Sequence, residues 1–435
     1  MQLATYYLET YGCTLNSSDS ELIAGLLQGA GLAEVEAPGE AAFIILNTCG
    51  VKTPTEQKIF HQIRKYTHLE GKVLVITGCL PLIFKDKLDV LKQLSPNFGA
   101  IVGPKNYHEL ADVLKALQKG ARNIIKIDGT SLDDKACLEP KRQNEHVAIL
   151  AIAEGCVGAC TYCCTRFARG ALDAYPSAYL AGKFSKYIDA GTREVFLTAE
   201  DCSAYLDTAG SITLPGLVNR FLEKPGDYHI RLGMMNPRTL LPVHEHLIRS
   251  MRDPRVFTFI HVPVQSGSDR ILKAMNRLYT AADFMKMIEA FKMTFPGITI
   301  ATDIICGFPG ETDEDFRQTV DLMHRVRPDI INISMYGHRP GTTASKLKQI
   351  PSGTVKARTR ELTAIHKEIT RKNHEEWLGW EGEAIIEEYN ADNKNWLARN
   401  QFYKPIIVEH GKPGEVVRIR ITGAVTHYFT CAITG

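Results

Sequence analysis

The chain has no run near the roughly 18 uninterrupted apolar residues of a membrane helix, so no membrane partner is expected. It has almost no net charge: 51 lysines and arginines stand against 49 aspartates and glutamates, a formal +2. That excludes a bulk polycation, and any nucleic-acid surface must be a local patch. The opening MQLATYYLETYGC lacks a basic segment ahead of an apolar one. Secretion is therefore not expected, and a cytoplasmic enzyme is the working class. Internal repeats and low-complexity tracts are missing too. Hydrophobic residues at 44% and charged residues at 23% are ordinary for a globular chain. At 435 residues the prior is about three domains. Cysteine is what the chain has in quantity. Eleven is an odd number and a poor disulfide framework, and in a reducing compartment metal binding or catalysis is the expected use.

The first third alternates strand and helix. TYYLETYG, AAFIILNTC and KVLVITGC read as strands, and SDSELIAGLLQGAG and TPTEQKIFHQIRKYTHLEG as helices. Continuous apolar strands suit a buried parallel sheet, so residues 1–135 are expected to form a small parallel-sheet α/β domain. The polar stretch SLDDKACLEPKRQNEH then separates it from the next domain. Six strand-like runs follow between 146 and 335, with helices between them. They predict a partial (β/α)6 barrel extending with a linker helix to 375. Residues 376–435 read as short alternating strands divided by glycine, proline and asparagine, a small antiparallel β-barrel.

Cys156, Cys160 and Cys163 follow directly on the strand VAILAIAEG. Three thiolates on one loop hold three irons of a [4Fe–4S] cluster and leave the fourth open to a small molecule. A structural zinc site wants a closed set of four, for which Cys164 is the available fourth, so a zinc loop stays open as an alternative. An open cluster is what reductive cleavage of S-adenosylmethionine requires. The loop's place at the top of the first barrel strand faces the catalytic mouth.

A second trio is spread out. Cys13, Cys49 and Cys79 each end a predicted strand, 36 and 30 residues apart, the size of one βαβ unit. Parallel strands lie about 4.8 Å apart, so three adjacent strand ends bring such side chains within reach of one cluster. Three buried core cysteines are the competing reading. Cys202, Cys306, Cys137 and Cys431 are expected to be core.

CVGACTYC matches the radical-SAM signature, with Tyr162 in its usual aromatic slot. YGCTLNSSDSE, LNTCGVKTPTEQK and ITGCLP look like the amino-terminal motifs of the radical-SAM methylthiotransferases, and the resemblance covers essentially the whole chain. It implies two [4Fe–4S] clusters, an auxiliary one on Cys13, Cys49 and Cys79 and a radical one on Cys156, Cys160 and Cys163. It implies two S-adenosylmethionine molecules, a low-potential electron donor such as ferredoxin or flavodoxin, and a C-terminal TRAM-like tRNA-binding barrel. Barrel-edge candidates for S-adenosylmethionine are Thr198, Glu200 and Asp201 in LTAED, Gln265 and Ser266 in PVQSGS, and Arg277. Asp303, Gly307, Pro309 and Glu311 in ATDIICGFPGE complete the set. Helix caps and barrel salt bridges are the alternative for each.

ETYGCTLNSSDSE, NTCGVKTPTEQK, TAED and CCTRFARG look most like the archaeal and eukaryotic branch that acts on N6-threonylcarbamoyladenosine in tRNA. Cys164 and Gly337-His338 depart from the pattern. Isopentenyladenosine in tRNA, a radical-SAM enzyme of different output and a zinc-containing RNA-binding protein remain alternatives. Arg166 and Arg169 are the candidate cations for the threonylcarbamoyl carboxylate. Arg399, Lys404, Arg418 and Arg420, alternating with Trp396, Phe402, Tyr403 and Tyr428, are the candidate RNA contacts, because arginine beside aromatics suits stacking on unpaired bases.

Overall fold

The computed structural model describes residues 4–434. Packing divides the chain into two compact units. The first takes the chain up to Gln143, then Ala151–Tyr175 and Gly337–Ser345; the second takes Asn144–Leu150, Pro176–Tyr336 and the chain from Lys346 onward. The boundaries expected from composition, at 135, 146 and 376, therefore differ from those made by contact. The cysteine loop belongs with the amino-terminal sheet, and the two barrels form one unit.

The first unit is built on a six-stranded sheet. Its order is Ala33–Glu34, Thr5–Thr10, Phe43–Thr48, Val73–Gly78, Ala100–Val102 and Ile124–Lys126, parallel throughout. Every residue of Phe43–Thr48 is buried, which explains its unbroken apolar run. Alternate side chains serve opposite faces. Ile44 and Leu46 pack with Ile59 and Ile63 of helix Thr53–Thr67. Phe43 and Ile45 pack with Ile23 and Leu27 of helix Thr14–Gly29 and Leu114 of helix Leu110–Gln118. The stretch expected to be a polar separator is partly core: Leu132 and Lys135 are buried in and beside the one-turn helix Asp133–Ala136. That turn leaves Cys137 exposed rather than in the core. The same unit contains a two-stranded clasp that no sequence pattern announces, Ala153–Glu154 against Asp173–Ala174, which closes the cysteine loop at its base.

The second unit carries the partial barrel. Strands Val147–Ala151, Glu194–Thr198 and His229–Arg231 form one three-stranded sheet, and Phe259–His261, Thr299–Cys306 and Ile330–Met335 another. Parallel bridges Ile230–Val256 and Met234–His261 join them. Reciprocal caps, Thr280 with Asp283 and Thr312 with Asp315, start two of the surrounding helices. Helix Ser352–Glu375 has 24 residues and is about 36 Å long. Its Arg358 reaches Glu311 and Asp313 at 2.7 Å each. The chain ends in a closed five-stranded barrel. Cys431 is half-buried against that barrel's core, and Cys202 and Cys306 are fully buried.

The loop after strand Asn395–Asn400 alters the expected RNA face. Tyr403, at φ +58°, lies with its ring centroid 5.1 Å from both Phe257 and Phe259 and 6.0 Å from Phe196. Gln401 accepts from the Thr258 amide, and Phe402 accepts from the Thr299 hydroxyl at 2.6 Å. Lys404 is 2% exposed and pairs with Asp329 at 2.6 Å. Arg399 pairs with Glu387 at 3.3 Å and covers the Tyr403 ring. Lys404, Phe402 and Tyr403 thus anchor the small barrel to the base of the large one, and Arg399 is engaged by Glu387 and the Tyr403 ring. Arg418 and Arg420 are exposed, the latter ion-paired to Glu381.

Lys404→Ala strands the Asp329 carboxylate in this seam. Removing one partner of a buried pair costs about 3 to 5 kcal/mol. A lowered denaturation midpoint is expected; an unchanged one would mean that the pair is solvated in solution.

Candidate active site

The three separated cysteines meet at one edge of the parallel sheet. Strands Thr5–Thr10, Phe43–Thr48 and Val73–Gly78 are neighbours, and Cys13, Cys49 and Cys79 stand at or just beyond their carboxyl ends. Cys13 is the N-cap of helix Thr14–Gly29, whose partial positive end favours a thiolate. Asn16, one turn into that helix, ties the edge together. Its Nδ2 donates to the Tyr11 and Thr48 carbonyls at 3.0 Å each. Its Oδ1 lies 3.6 Å from Cys13 Sγ and 3.9 Å from Cys79 Sγ. Asn47 holds the same helix from the next strand through the Asn16 carbonyl and Ser20 Oγ, 2.8 Å each.

A glycine flanks each of these cysteines in a crowded setting. A Cβ on Gly12 would meet Cys49 Cβ at 3.0 Å, one on Gly50 would meet Ile83 Cδ1 at 2.6 Å, and one on Gly78 would meet the Thr48 carbonyl oxygen at 2.3 Å. Gly78 also sits at φ +86°. Burial pushes the Cys79 thiol up to about 12, with the nearby Arg169 guanidinium opposing it.

The loop trio is prearranged by its own backbone. The Gly158 amide donates to Cys156 Sγ at 3.2 Å and the Thr165 amide to Cys163 Sγ at 3.4 Å. A Cβ on Gly158 would press on Cys156 Sγ at 3.2 Å and Cys160 Sγ at 3.7 Å. Cys164 is turned away: it is 1% exposed, donates to the Gly50 carbonyl at 3.7 Å, and burial pushes its thiol up to about 12. It packs in the same core as Cys49 and Cys79. Among the described residues no three histidine, cysteine or carboxylate side chains close on a point that a single metal ion would fill. A cubane spreads its thiolates over separate corners and needs no such convergence. Both trios therefore suit an open cluster in their donor chemistry: three sulfurs, with amide donors or a helix terminus beside them.

Beneath the first trio lies a fully buried charge network that no motif announces. Arg169 bonds Asp19 at 2.7 Å and Glu154 at 2.9 Å, and Lys135 bridges the same two carboxylates. Glu154 is held low, near 2: burial pushes it up, but the two cations outweigh that penalty. Arg169 is thus engaged inside the protein and is not a cation awaiting a substrate carboxylate; Arg166 is exposed. Asn16 and Asp19 were findable, since 13, 16 and 19 fall on one helical face of YGCTLNSSDSE. Nothing in the sequence marks Lys135.

In the second unit the expected barrel-edge residues lie at the carboxyl ends of the strands. Gln265, at φ +74°, bonds the Asp303 carbonyl through its amide at 2.8 Å. The Asp303 carboxylate accepts from His261 at 2.8 Å and Asn332 at 2.7 Å. Thr198 is buried and Glu200 half-buried after their strand. Arg277 donates to Tyr279 Oη at 2.8 Å and the Pro263 carbonyl at 3.1 Å. Other candidates are engaged in the fold. Asp201 accepts from Ser203, Thr239 and the Asn236 amide. Ser266 faces Thr319 and the Ser268 amide. Glu311 accepts from the Gly307 amide at 2.9 Å and pairs with Arg358. Gly307 is required where it stands, at φ +79°, because a Cβ would lie 2.5 Å from Val355 Cγ2.

Asn16→Ala leaves two strand-end carbonyls unsatisfied. A loss of about 1 to 3 kcal/mol in stability is expected, with less iron retained after anaerobic reconstitution. Unaltered stability and iron would show that Asn16 does not organise the edge.

Comparison with known proteins agrees with this geometry. Residues 5–103 match the uncharacterized protein family UPF0004, residues 150–323 the radical SAM superfamily and residues 378–430 the TRAM domain. A "Probable threonylcarbamoyladenosine tRNA methylthiotransferase" of Pyrococcus horikoshii is 37% identical over 97% of each chain. The threonylcarbamoyladenosine tRNA methylthiotransferases of Danio rerio and Homo sapiens are 38% and 36% identical over 97% of this chain, and the matches cover 77% and 72% of theirs. Among solved structures, the radical S-adenosylmethionine methyltransferase TsrM of Kitasatospora setae, with cobalamin and a [4Fe-4S] cluster bound, superposes with a TM-score of 0.55. It is 13% identical, over 79% of this chain and 74% of its own, so the likeness is one of fold. With the two cysteine trios, the barrel edge and the terminal barrel in place, the chain belongs to the threonylcarbamoyladenosine tRNA methylthiotransferase family of radical SAM enzymes.

Proposed function

We propose that the chain replaces the C2 hydrogen of N6-threonylcarbamoyladenosine, beside the tRNA anticodon, with a methylthio group. It does so with two open [4Fe–4S] clusters, two S-adenosylmethionine molecules and a low-potential donor of the ferredoxin or flavodoxin class, in the cytoplasm. The observation that carries this reading is the presence of both trios in one compact unit, with Cys164 of the loop packed against Gly50 of the sheet edge.

When bound, the loop cluster would supply the electron that cleaves S-adenosylmethionine for hydrogen abstraction, and the sheet-edge cluster would supply or template the sulfur to be methylated and transferred. The residues of the chain then hold and shield. Cys156, Cys160 and Cys163 anchor one cluster, with the Gly158 and Thr165 amides steadying two of the sulfurs. Cys13, Cys49 and Cys79 anchor the other, with Cys49 and Cys79 buried and Cys13 exposed. Gln265, Asp303, Glu200 and Thr198 provide the polar edge for S-adenosylmethionine, with Arg277 beside it. Arg418 and Arg420 provide the RNA-facing charge that Arg399 and Lys404 do not.

Replacing Cys156, Cys160 and Cys163 together by alanine should halve the iron and abolish 5′-deoxyadenosine. The same change at Cys13, Cys49 and Cys79 should halve the iron and leave uncoupled cleavage of S-adenosylmethionine. Full iron with full methylthio product in the second variant would overturn the two-cluster reading. The substrate is tested by competition between otherwise identical tRNAs, one threonylcarbamoylated and one isopentenylated. Preferential turnover of the isopentenyl form would overturn the assignment.

For tRNA affinity, surface variants replace truncation, because removing the small barrel would uncover the aromatic base of the large one. Arg418→Glu with Arg420→Glu should flatten the salt dependence of binding by about 0.7 to 0.9 for each phosphate left without its cation. S-adenosylmethionine cleavage without tRNA should persist. An unchanged slope would place the RNA elsewhere.

A further inference from the structure

The buried network under the sheet edge is larger than packing needs. Arg169, Lys135, Asp19 and Glu154 are each at most 2% exposed, two cations against two anions. Burying four charges is costly, and apolar replacements of such groups are often neutral or stabilising. Stability alone is therefore a weak reason for the arrangement. Its geometry has one further consequence. With Nη1 on Glu154 and Nη2 on Asp19, the guanidinium plane is fixed, and Nε is left pointing at Cys79 Sγ, 3.3 Å away. Nη2 also reaches Asn16 Oδ1, the atom that lies beside both Cys13 and Cys79, at 3.4 Å. Tyr107 closes the far side, with its hydroxyl 3.3 Å from Asp19 and its ring under Lys135.

The provenance of these residues matters. Arg169 ends the short helix that follows the loop cysteines, and Glu154 stands two residues before Cys156 on the clasp that closes the loop. Asp19 belongs to the helix capped by Cys13. One ion network thus ties both ends of the loop that carries one trio to the floor of the other trio.

We propose that Arg169 is a positioning residue for the auxiliary cluster: held by Asp19 and Glu154, it donates a charged hydrogen bond to Cys79 Sγ and thereby raises the reduction potential of the cluster on Cys13, Cys49 and Cys79. The proposal rests on the reading that this trio holds a cluster. One-electron reduction of [4Fe–4S] from 2+ to 1+, by an external low-potential donor, adds one negative charge. A neighbouring cation and an N–H aimed at a ligand sulfur stabilise that charge, and such donors are among the established determinants of cluster potential. The four network charges cancel among themselves, so the stabilisation comes from the directed Nε–H and not from net charge. Lysine, a point charge without a fork, would not reproduce it.

The experiment uses the full-length chain carrying Cys156→Ala, Cys160→Ala and Cys163→Ala, so that only the sheet-edge site takes iron. After anaerobic reconstitution, iron per chain, thermal melting and the midpoint potential from an EPR-monitored redox titration are measured. Three forms are compared: Arg169 retained, Arg169→Lys, and the charge-balanced pair Arg169→Gln with Asp19→Asn, which leaves Lys135 with Glu154. The expected result is about four irons per chain in all three, with the midpoint moved negative in the pair and by a smaller amount in Arg169→Lys. Equal midpoints at equal iron overturn the role of Arg169 and leave a structural salt bridge. Should the pair melt early or lose iron, Arg169→Lys decides alone, an unmoved midpoint overturning the proposal. If the chain with Arg169 retained binds no iron, the two-cluster reading itself falls, an outcome distinct from an unchanged potential.

Discussion

An open cluster makes an unusual demand: three sulfurs held firmly around a space, and no fourth donor near enough to close it. Both cysteine trios in this chain have backbone that suits that demand. In the loop, amides of Gly158 and Thr165 point at sulfur, and the adjacent thiol of Cys164 is turned into the core under the Gly50 carbonyl. At the sheet edge, parallel pairing fixes the spacing of three strand ends, and Gly12 and Gly78, at φ +133° and +86°, let the chain turn there. The surrounding side chains answer to this arrangement. Asn16 donates to the Tyr11 and Thr48 carbonyls at the strand ends, and Asn47 ties the adjoining helix through the Asn16 carbonyl and Ser20 Oγ.

The same constraint accounts for how the chain is partitioned. The loop with Cys156, Cys160 and Cys163 follows a barrel strand in sequence, yet it groups in one compact unit with the amino-terminal sheet. Its base is clasped by Ala153–Glu154 and Asp173–Ala174, and its ends contribute Glu154 and Arg169 to the network under Cys79. The segment Gly337–Ser345 joins the same unit through Arg339, which is buried and bonds Glu56 at 2.7 Å. Here the departure at Gly337-His338 finds its setting: a Cβ at Gly337 would lie 2.6 Å from Thr53 Oγ1, so a residue without one stands there.

In the second unit an aromatic plug couples the two barrels. Tyr403 takes a left-handed backbone conformation to place its ring among Phe196, Phe257 and Phe259, with Arg231 and Arg399 over its ring. Such strain persists only where the surroundings over-determine it, and here three hydrogen bonds to backbone carbonyls and the Lys404–Asp329 pair do so. The unused faces of the small barrel, with Arg418, Arg420 and Tyr428, remain at the surface.

What could be read from the chain alone was whatever is encoded by spacing. The loop cysteines are local, the three strand-end cysteines recur at the βαβ period, and the alternation of strand and helix announces the sheet and the six barrel strands. These signals survive because they depend on neighbours in sequence. Tertiary structure decided the fate of every charge. Arg399 and Lys404 have the composition of an RNA face but are engaged in the fold, Arg399 by Glu387 of the neighbouring strand and Lys404 by Asp329, 75 residues away. Lys135 sits in what reads as a polar separator but is buried, because Asp19 and Glu154, 116 and 19 residues away, converge on it. Arg169 looks available for a substrate carboxylate until those two partners claim it. A charged side chain reads the same in a sequence whether it faces water or an ion partner; only the fold supplies the partner, and with it the role.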